Sequence, residues 1–262
     1  MNVAIVGGGL MGEALLGAAL EAGVLEASSV TVIEKLEPRR AALESKHGVH
    51  VSGGLEAVAD ADVVLLSVKP QEMKSVATSL KPGALLLSIM AGVTIASLRE
   101  TFRHEAIVRV MPNTPAAIRS AMSAWFATPA VTPAQREFVQ SLLSAIGSEL
   151  YVDDEKKIDM VTAVSGSGPA YVFMFIEAMI DGAVAIGLPR LAAEELVLQT
   201  LVGSSLYARG SNHSAAELRA MVTSPAGTTA AGLLELEKGA FRASVIECVR
   251  AAHQRALELG KA

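Results

Sequence analysis

The chain has 262 residues, of which 51% are hydrophobic and 19% are charged, and its formal net charge is −5. This length suits one large domain or two ordinary ones, and the apolar content is enough to bury a sizeable core, which excludes an intrinsically disordered protein. No run of lysine and arginine is interleaved with aromatic residues, so the sequence offers no footprint for a nucleic acid.

Cysteine, histidine and hydropathy patterns exclude further classes of protein. Cys248 is the only cysteine, so an intrachain disulfide is excluded, and none of the five histidines falls in a metal-ligand spacing such as HExxH. The longest charge-free runs, 82–98 and 160–176, are shorter than the ~20 residues that a membrane span needs, and no signal-peptide pattern opens the chain. We therefore expect a cytoplasmic protein with no metal, membrane or nucleic-acid partner.

The first half of the chain alternates short β-branched runs with helical patterns, which predicts an α/β domain built on a doubly wound parallel sheet of the Rossmann type. The continuous apolar runs at 62–68 and 84–89 are typical of parallel strands that are covered on both faces. The strand candidates are 2–6, 30–34, 62–68, 84–89 and 107–111, and the helix candidates are 10–22, 38–47, 71–80 and 94–102.

The second half shows no strand-length alternation after an acidic, lysine-containing break at 153–157. We therefore place a domain boundary near residue 152, with the α/β domain at 1–152 and an all-helical domain at 153–262. Its helix candidates are 155–163, 169–186, 191–209, 215–222, 228–238 and 241–259.

A glycine-rich turn follows the first strand candidate and opens the first helix candidate. It satisfies the pattern G-x-G-x-x-G with Gly7, Gly8, Gly9, Leu10, Met11 and Gly12. At the start of a βαβ unit this pattern is typical of dinucleotide binding, because Gly7 permits a tight turn, Gly9 lets the backbone approach a pyrophosphate, and Gly12 lets the helix pack on the strand. The amides at the helix N-terminus would hold that pyrophosphate. The alternative is a structural strand–helix turn without a ligand.

Glu34 ends the second strand candidate, 22 residues after Gly12 and close to the ~20 expected for an acid that hydrogen-bonds the adenosine ribose. A carboxylate there repels the 2′-phosphate of NADPH, whereas Lys35, Arg39 and Arg40 follow closely and could offset that repulsion. We therefore expect the protein to use both NADPH and NADH as cofactors, with a modest lean toward NADH relative to a typical member of its family. A solvated glutamate at the strand end is the alternative interpretation.

Five further motifs follow one another along the chain. They are Val68-Lys69-Pro70-Gln71, Ala91-Gly92-Val93-Thr94-Ile95, Met111-Pro112-Asn113-Thr114-Pro115, AVSGSGPAY at 163–171 and TSPAGTT at 223–229. In this order, and over nearly the whole chain, they closely resemble the pyrroline-5-carboxylate reductase family. The last two motifs are specific to that family.

The resemblance implies a dinucleotide-binding domain followed by a helical domain that interlocks with its copy in a homodimer, and larger assemblies of dimers occur in the family. It also implies an oxidoreductase that reduces a small cyclic imino acid, 1-pyrroline-5-carboxylate, to L-proline by hydride transfer from NADH or NADPH. This reaction is the last step of proline biosynthesis. In the family, the active site lies between the nicotinamide and helices from both subunits.

The resemblance also assigns individual residues to the cofactor and to the substrate. The residues that it places at the ribose and nicotinamide are Val68, Lys69, Pro70, Ala91, Gly92 and, near the carboxamide, Asn113. It makes Thr229 the catalytic threonine that touches the substrate nitrogen. The other substrate-binding residues that it implies are Glu155, Ser165, Gly227 and Thr228, although the Thr228 hydroxyl is expected to be incidental.

The chemistry of the last motif suits a substrate with a carboxylate. Pro225 and Gly227 shape a turn, and the helix that begins near Thr228 presents unpaired amides to an anion. Thr229 adds a hydroxyl that can donate to, or accept from, a ring nitrogen. Without the family resemblance, a helix N-cap is the competing interpretation of this turn. For Glu155, the competing interpretation is a first-turn glutamate that favours the helix dipole.

Four rival functions remain to be compared with this one. A β-hydroxyacid dehydrogenase shares the layout but needs a lysine about a turn after the glycine-rich stretch, and the segment 169–177 (PAYVFMFIE) has none. A reductase of another imine stays open. A non-catalytic dinucleotide-binding regulator would keep the first glycine turn but would not need the TSPAGTT motif. A serine hydrolase elbow is rejected because position 164 is valine and no strand precedes the turn.

Overall fold

An eight-stranded sheet organises the first part of the chain in the computed structural model, which describes residues 1–260. The strands are β1 (Val3–Val6), β2 (Val30–Ile33), β3 (His50–Ser52), β4 (Val63–Leu66), β5 (Leu85–Ser88), β6 (Ile107–Met111), β7 (Ala121–Ala127) and β8 (Gly147–Tyr151). Their order across the sheet is β3-β2-β1-β4-β5-β6-β7-β8.

The order of the strands reverses beside β1, which pairs in parallel with both β2 and β4. Every other neighbouring pair is also parallel except β6 and β7, which are antiparallel. In doubly wound sheets, ligands bind in the crevice beyond the carboxyl ends of the strands at this point of reversal. The predicted Rossmann-type sheet is therefore confirmed, and it places the candidate site beyond the ends of β1 and β4.

Helices follow most of the strands and fill the second half of the chain. They are α1 (Leu10–Glu21), α2 (Glu37–His47), α3 (Ile95–Phe102), α4 (Pro133–Ile146), α5 (Lys156–Val161), α6 (Gly168–Ala185), α7 (Arg190–Gly210), α8 (Ala215–Met221), α9 (Thr228–Lys238) and α10 (Phe241–Leu259). The helical second half that the sequence predicts is confirmed.

Two segments differ from the predicted helices. The prediction of an α-helix at 71–80 is wrong, because the chain forms a 3-10 helix at Pro70–Val76. Within it, the Ser75 hydroxyl donates to the carbonyl of Glu72 at 2.8 Å, a local bond that competes with a continuing α-helix. The candidate at 155–163 becomes α5 followed by a π-helical turn at Thr162–Gly166.

Short-range signals set several helix ends. Thr94 caps α3 by accepting a hydrogen bond from the Ser97 amide at 3.2 Å, and Thr132 forms a capping box with Gln135 at the start of α4. Gly48, with φ +66°, ends α2 in the left-handed conformation that glycine adopts without a steric penalty.

The sheet is covered on both faces, and the side chains of β1 alternate between the two cores. Val3 and Ile5 pack into one core, which contains residues of α1 and α4, while Ala4 and Val6 pack into the other, which contains residues of α3. Fully burying each large aliphatic side chain stabilises the fold by about 1.5–3 kcal/mol. Because β1 is fixed from both faces, the glycine turn that follows it has a rigid support.

The chain divides into two compact units, one formed by Met1–Pro169 with the described residues from Ala251 onward, and the other by Ala170–Arg250. The boundary between the two compact units therefore falls between Pro169 and Ala170. The functional boundary near residue 152 stays a prediction.

The unit Ala170–Arg250 buries little of its own apolar surface. Its buried hydrophobic residues are Ile180, Ala193 and Val197. Many large apolar side chains of α6 and α7 are exposed, including Phe173, Met174, Leu191 and Leu206. Exposed apolar surface on this scale is typical of a surface that binds another macromolecule or a membrane.

One continuous helical run, Lys156–Ala185, has 30 residues and a mean hydropathy of 1.3, which is enough by length and composition to cross a membrane. A single run of this kind is weak evidence for a span, because the core helix of a soluble protein and a signal sequence pass the same test.

Candidate active site

The glycine turn joins β1 to α1 and matches the geometry that a dinucleotide needs. Gly7 has φ +104°, and a Cβ there would lie 2.6 Å from the carbonyl oxygen of Ser67. A Cβ at Gly12 would overlap the carbonyl oxygen of Gly7, so neither position accepts a side chain. At Gly9, the N-cap of α1, a Cβ would meet nothing within 4 Å. The backbone there faces open space at a helix N-terminus, and it fits a pyrophosphate.

A cleft of about 230 Å³ lies beside this turn and beyond the carboxyl ends of β4, β5 and β6. It brings together four residues that the sequence predicts for the cofactor, which are Met11, Val68, Lys69 and Ala91. The lining residues that sequence reasoning misses are Ser67, Ile89, Met90, Met111 and Pro112. Two other predicted residues, Pro70 and Gly92, line a larger groove of about 700 Å³.

The carboxylate of Glu34 lies against the glycine turn. Its Oε2 accepts a hydrogen bond from the amide of Gly8 at 3.1 Å, and its Oε1 accepts one from the amide of Leu36 at 3.0 Å. Glu34 follows β2 directly, so a local pattern in the sequence is sufficient to place it beside the loop. This is the position from which an acid reaches the adenosine ribose in dinucleotide-binding folds.

The outer side of α1 carries a cluster of charges around Glu13. Its carboxylate pairs with Arg39, with Lys46 at 2.9 Å and with His47 at 3.1 Å. The hydrogen bond from Lys46, helped by Arg39 and His47 and opposed by partial burial, lowers the pKa of Glu13 to about 2. Arg39 also donates to the carbonyl of Gly8 at 2.7 Å, so this cluster is tied to the glycine turn.

Asn113 connects the end of β6 to the Ser165 turn. Its Nδ2 donates to the carbonyl of Ser165 at 3.1 Å, and its Oδ1 accepts from the amide of Met122 at 2.9 Å. In the π-helical turn, the Ser167 amide donates to the carbonyl of Thr162 at 2.8 Å. The predicted residues Asn113 and Ser165 are therefore brought together, and the side chain of Asn113 holds the Ser165 turn beside the sheet.

Glu155 lies at the start of α5 in a network around a buried arginine. Its Oε1 accepts from Arg109 Nη1 at 3.0 Å and from the amide of Ile95 at 2.8 Å. Arg109 is 2% exposed, and its Nη2 donates to Oδ1 of Asp159 at 2.5 Å. The network joins β6, the first turn of α3 and α5. The role of Glu155 in substrate binding stays a prediction.

The turn before α9 belongs to the unit Ala170–Arg250. Gly227 is the N-cap of α9, and no side chain caps the helix, so Thr228 and Thr229 are first-turn residues that do not cap it. Ala226 has φ +58°, a left-handed conformation that costs a residue with a Cβ about 1–2 kcal/mol. Strain of this kind clusters at functional sites.

Sequence reasoning misses two charged residues of the network, Arg109 and Asp159. A signal for Arg109 is present, because it is the single charged residue within the apolar strand Ile107–Met111 and a buried charge requires a partner. Nothing local indicates that Asp159, fifty residues away, supplies that partner. Within residues 1–260, no group of three or more His, Cys, Asp or Glu side chains is placed to hold a metal ion.

The fold and the glycine turn define the class of the protein as a dinucleotide-binding α/β protein of the Rossmann type. Family models narrow this class. One described as pyrroline-5-carboxylate reductase dimerisation matches residues 155–259, and one described as NADP oxidoreductase coenzyme F420-dependent matches residues 2–92.

Individual relatives cover both halves of the chain. The pyrroline-5-carboxylate reductase of Synechocystis sp. is 42% identical, with 100% of this chain and 99% of the relative covered. That of Pseudomonas aeruginosa is 46% identical over 85% of this chain and 84% of the relative. Among solved structures, the Plasmodium falciparum reductase with NADP bound superposes with a TM-score of 0.90 at 30% identity, covering 99% of this chain and 98% of that one. The chain belongs to the pyrroline-5-carboxylate reductase family.

Proposed function

We propose that this protein reduces 1-pyrroline-5-carboxylate to L-proline with NADH or NADPH as the hydride donor. The observation that carries the proposal is the 42% identity to a pyrroline-5-carboxylate reductase over the whole chain, which includes both the glycine turn and the TSPAGTT motif. A protein that only binds dinucleotides would have no need for the second motif.

The first unit supplies the residues for the cofactor. Gly9 and the start of α1 would hold the pyrophosphate, and Glu34 would accept hydrogen bonds from the adenosine ribose. The residues that we assign to the second ribose and the nicotinamide are Val68, Lys69, Pro70, Ala91, Gly92 and Asn113. A bound reduced nicotinamide supplies the hydride, and the protein contributes binding, orientation and electrostatics.

The substrate-binding residues that we propose are Glu155, Ser165, Gly227, Thr228 and Thr229. The first-turn amides of α9 suit the substrate carboxylate, because they have no partner within the helix. In the reaction, the carbon of the C=N bond gains a hydride and the nitrogen gains a proton. The Thr229 hydroxyl is not used in capping and is available to hydrogen-bond the ring nitrogen, which makes it the proposed catalytic group.

We further propose that residues 153–262 form a homodimer in the cytoplasm, as the match to a dimerisation model supports. The exposed apolar side chains of α6 and α7 would then face a second copy of the chain, and assembly into larger oligomers would build on that dimer.

The test is an assay with purified protein, in which cofactor oxidation is followed by absorbance and proline is identified by chromatography. We expect both signals with 1-pyrroline-5-carboxylate and neither without it. The matched comparison is 1-pyrroline, which has the same ring but no carboxylate, and we expect it to react with a much lower kcat/KM. If proline does not form at any cofactor concentration, the proposal is wrong. Equal turnover of both imines would favour a reductase of another imine.

A further inference from the structure

We infer that this protein binds NADH in preference to NADPH and that Glu34 determines the preference. The inference deepens the proposed function, on which it rests, by choosing between its two cofactors. It depends on how Glu34 and its neighbouring cations are held.

The position of the Glu34 carboxylate is fixed by the backbone. One oxygen accepts from the Gly8 amide at 3.1 Å and the other from the Leu36 amide at 3.0 Å. Each carboxylate oxygen has about two acceptor sites, so both oxygens keep capacity for ribose hydroxyls. A hydroxyl donates to a carboxylate, whereas a phosphate ester at the same place brings only acceptors and negative charge.

The repulsion between the Glu34 carboxylate and the 2′-phosphate of NADPH is large enough to discriminate between the two cofactors. Two unit charges about 4 Å apart repel enough to change a binding constant roughly fivefold at the dielectric constant of water, and several hundredfold at an effective value of 20. Glu34 is partly buried, so the effect lies above the lower figure. Only a cation that reaches the phosphate could offset it.

Both nearby arginines are already engaged. Arg39 donates through Nε to the carbonyl of Gly8 at 2.7 Å and pairs with Glu13. Arg40 donates through Nη1 to the carbonyls of Glu34 at 2.8 Å and Lys35 at 2.9 Å. Moving either guanidinium to a phosphate would break two existing interactions, and moving Arg39 would remove a bond to the glycine turn.

Lys35 is the cation most easily recruited. It pairs with Glu72 at 3.2 Å, and its side chain is 63% exposed. An exposed ion pair changes a binding constant at most about fivefold. Lys35 therefore cannot cancel the repulsion from a partly buried carboxylate that is held in place.

The family fold does not itself exclude the phosphorylated cofactor, since the Plasmodium falciparum relative is described with NADP bound. The preference must therefore come from side chains of this chain at the end of β2. Glu34 is the acidic side chain that contacts the glycine turn there.

Isothermal titration calorimetry of the full-length protein with NADH and with NADPH, in the absence of imino acid, tests the inference. We expect NADH to bind at least about tenfold more tightly to the unmodified protein. Glu34→Ser should shift the ratio of the two dissociation constants at least about tenfold toward NADPH. The matched control is Glu44→Ser, which removes an equal charge from an exposed position on α2 and should leave the ratio unchanged.

Equal or tighter binding of NADPH by the unmodified protein would overturn the inference. So would a Glu34→Ser ratio that matches the Glu44→Ser ratio. If Glu34→Ser fails to fold, Glu34→Gln replaces it, because it keeps one oxygen acceptor and removes the charge; an unchanged ratio there would overturn the inference equally. A preference for NADH without any formation of proline would refute the proposed function and leave the cofactor preference standing.

Discussion

Arg109 and Glu155 form an ion pair of 3.0 Å in which the arginine side chain is almost completely buried. The same carboxylate oxygen also accepts the amide of Ile95, and the other end of the guanidinium binds Asp159. A buried charge that loses its partner is strongly destabilising, because the remaining charge is left without compensation in a medium of low dielectric constant.

Replacing Arg109 with methionine should therefore lower the stability by about 3–5 kcal/mol, which for a chain of this size lowers the Tm by roughly 10 °C. Circular dichroism during heating measures the shift. The matched control is Arg99→Met, which breaks an exposed pair with Glu105 and should change the stability by no more than about 1 kcal/mol. If the Tm falls by a similar amount in the two variants, the buried network contributes no more to stability than the exposed ion pair does.

Thr229→Ala should lower kcat/KM by roughly 10- to 1000-fold, the range expected for one positioned hydrogen bond in the transition state. The dissociation constant of the cofactor and the Tm should barely change, because the hydroxyl does not cap α9. Its neighbour provides the control, since Thr228→Ala removes the same group one residue away and should keep most of the activity. Full activity of Thr229→Ala would remove the catalytic assignment.

Dimerisation is tested through the exposed apolar surface of α6. Phe173 is 58% exposed, and Phe173→Asp should shift the protein toward monomers or insoluble protein in light scattering at micromolar concentration. Ile118→Asp changes an apolar residue that is 75% exposed and lies outside the region that matches the dimerisation model, and it should leave the oligomer intact. A stable and active monomer of the unmodified protein would contradict the proposed dimer.

Acid should weaken the charge cluster on α1 in a defined range of pH. The pKa of Glu13 falls from 4.5 to about 2 on folding, so its contribution to stability is complete above pH 4.5 and is lost as the pH falls toward 2. Glu13→Gln should lower stability at pH 7 by about 1–3 kcal/mol, with a smaller difference at pH 3. Urea unfolding at both pH values measures this, with Glu44→Gln as the exposed control; an equal loss at both pH values would contradict the assignment.

Local patterns in the sequence are sufficient to predict much of the fold. The apolar run at 107–111 predicts β6 at its observed bounds, and the candidates at 228–238 and 241–259 match α9 and α10. Strands β7 and β8 were missed, because their stability depends on pairing with each other and with β6. Helix α4 was also missed, although Thr132 and Gln135 carry the sequence signature of its capping box.

The candidate site likewise contains some features that local sequence patterns predict and some that they do not. The glycine turn and Glu34 follow from a spacing within one βαβ unit, so the sequence predicts their proximity directly. The contacts between Asn113 and Ser165, and between Arg109 and Asp159, join residues that are fifty or more positions apart. Such pairs are products of tertiary packing, and one sequence holds no local pattern that indicates them.

The last turn of α10 lies against the turn that contains Gly92. A Cβ added at Gly92 would be 2.8 Å from the Cβ of Leu259. Residues from both ends of the sequence thus belong to the same compact unit. Proteins are synthesised from the N-terminus, and domains usually fold as units as they leave the ribosome. Here the cofactor-binding unit cannot acquire its full set of contacts until α10 has been synthesised, so translation of the helical segment delays the final step in folding of the part that precedes it.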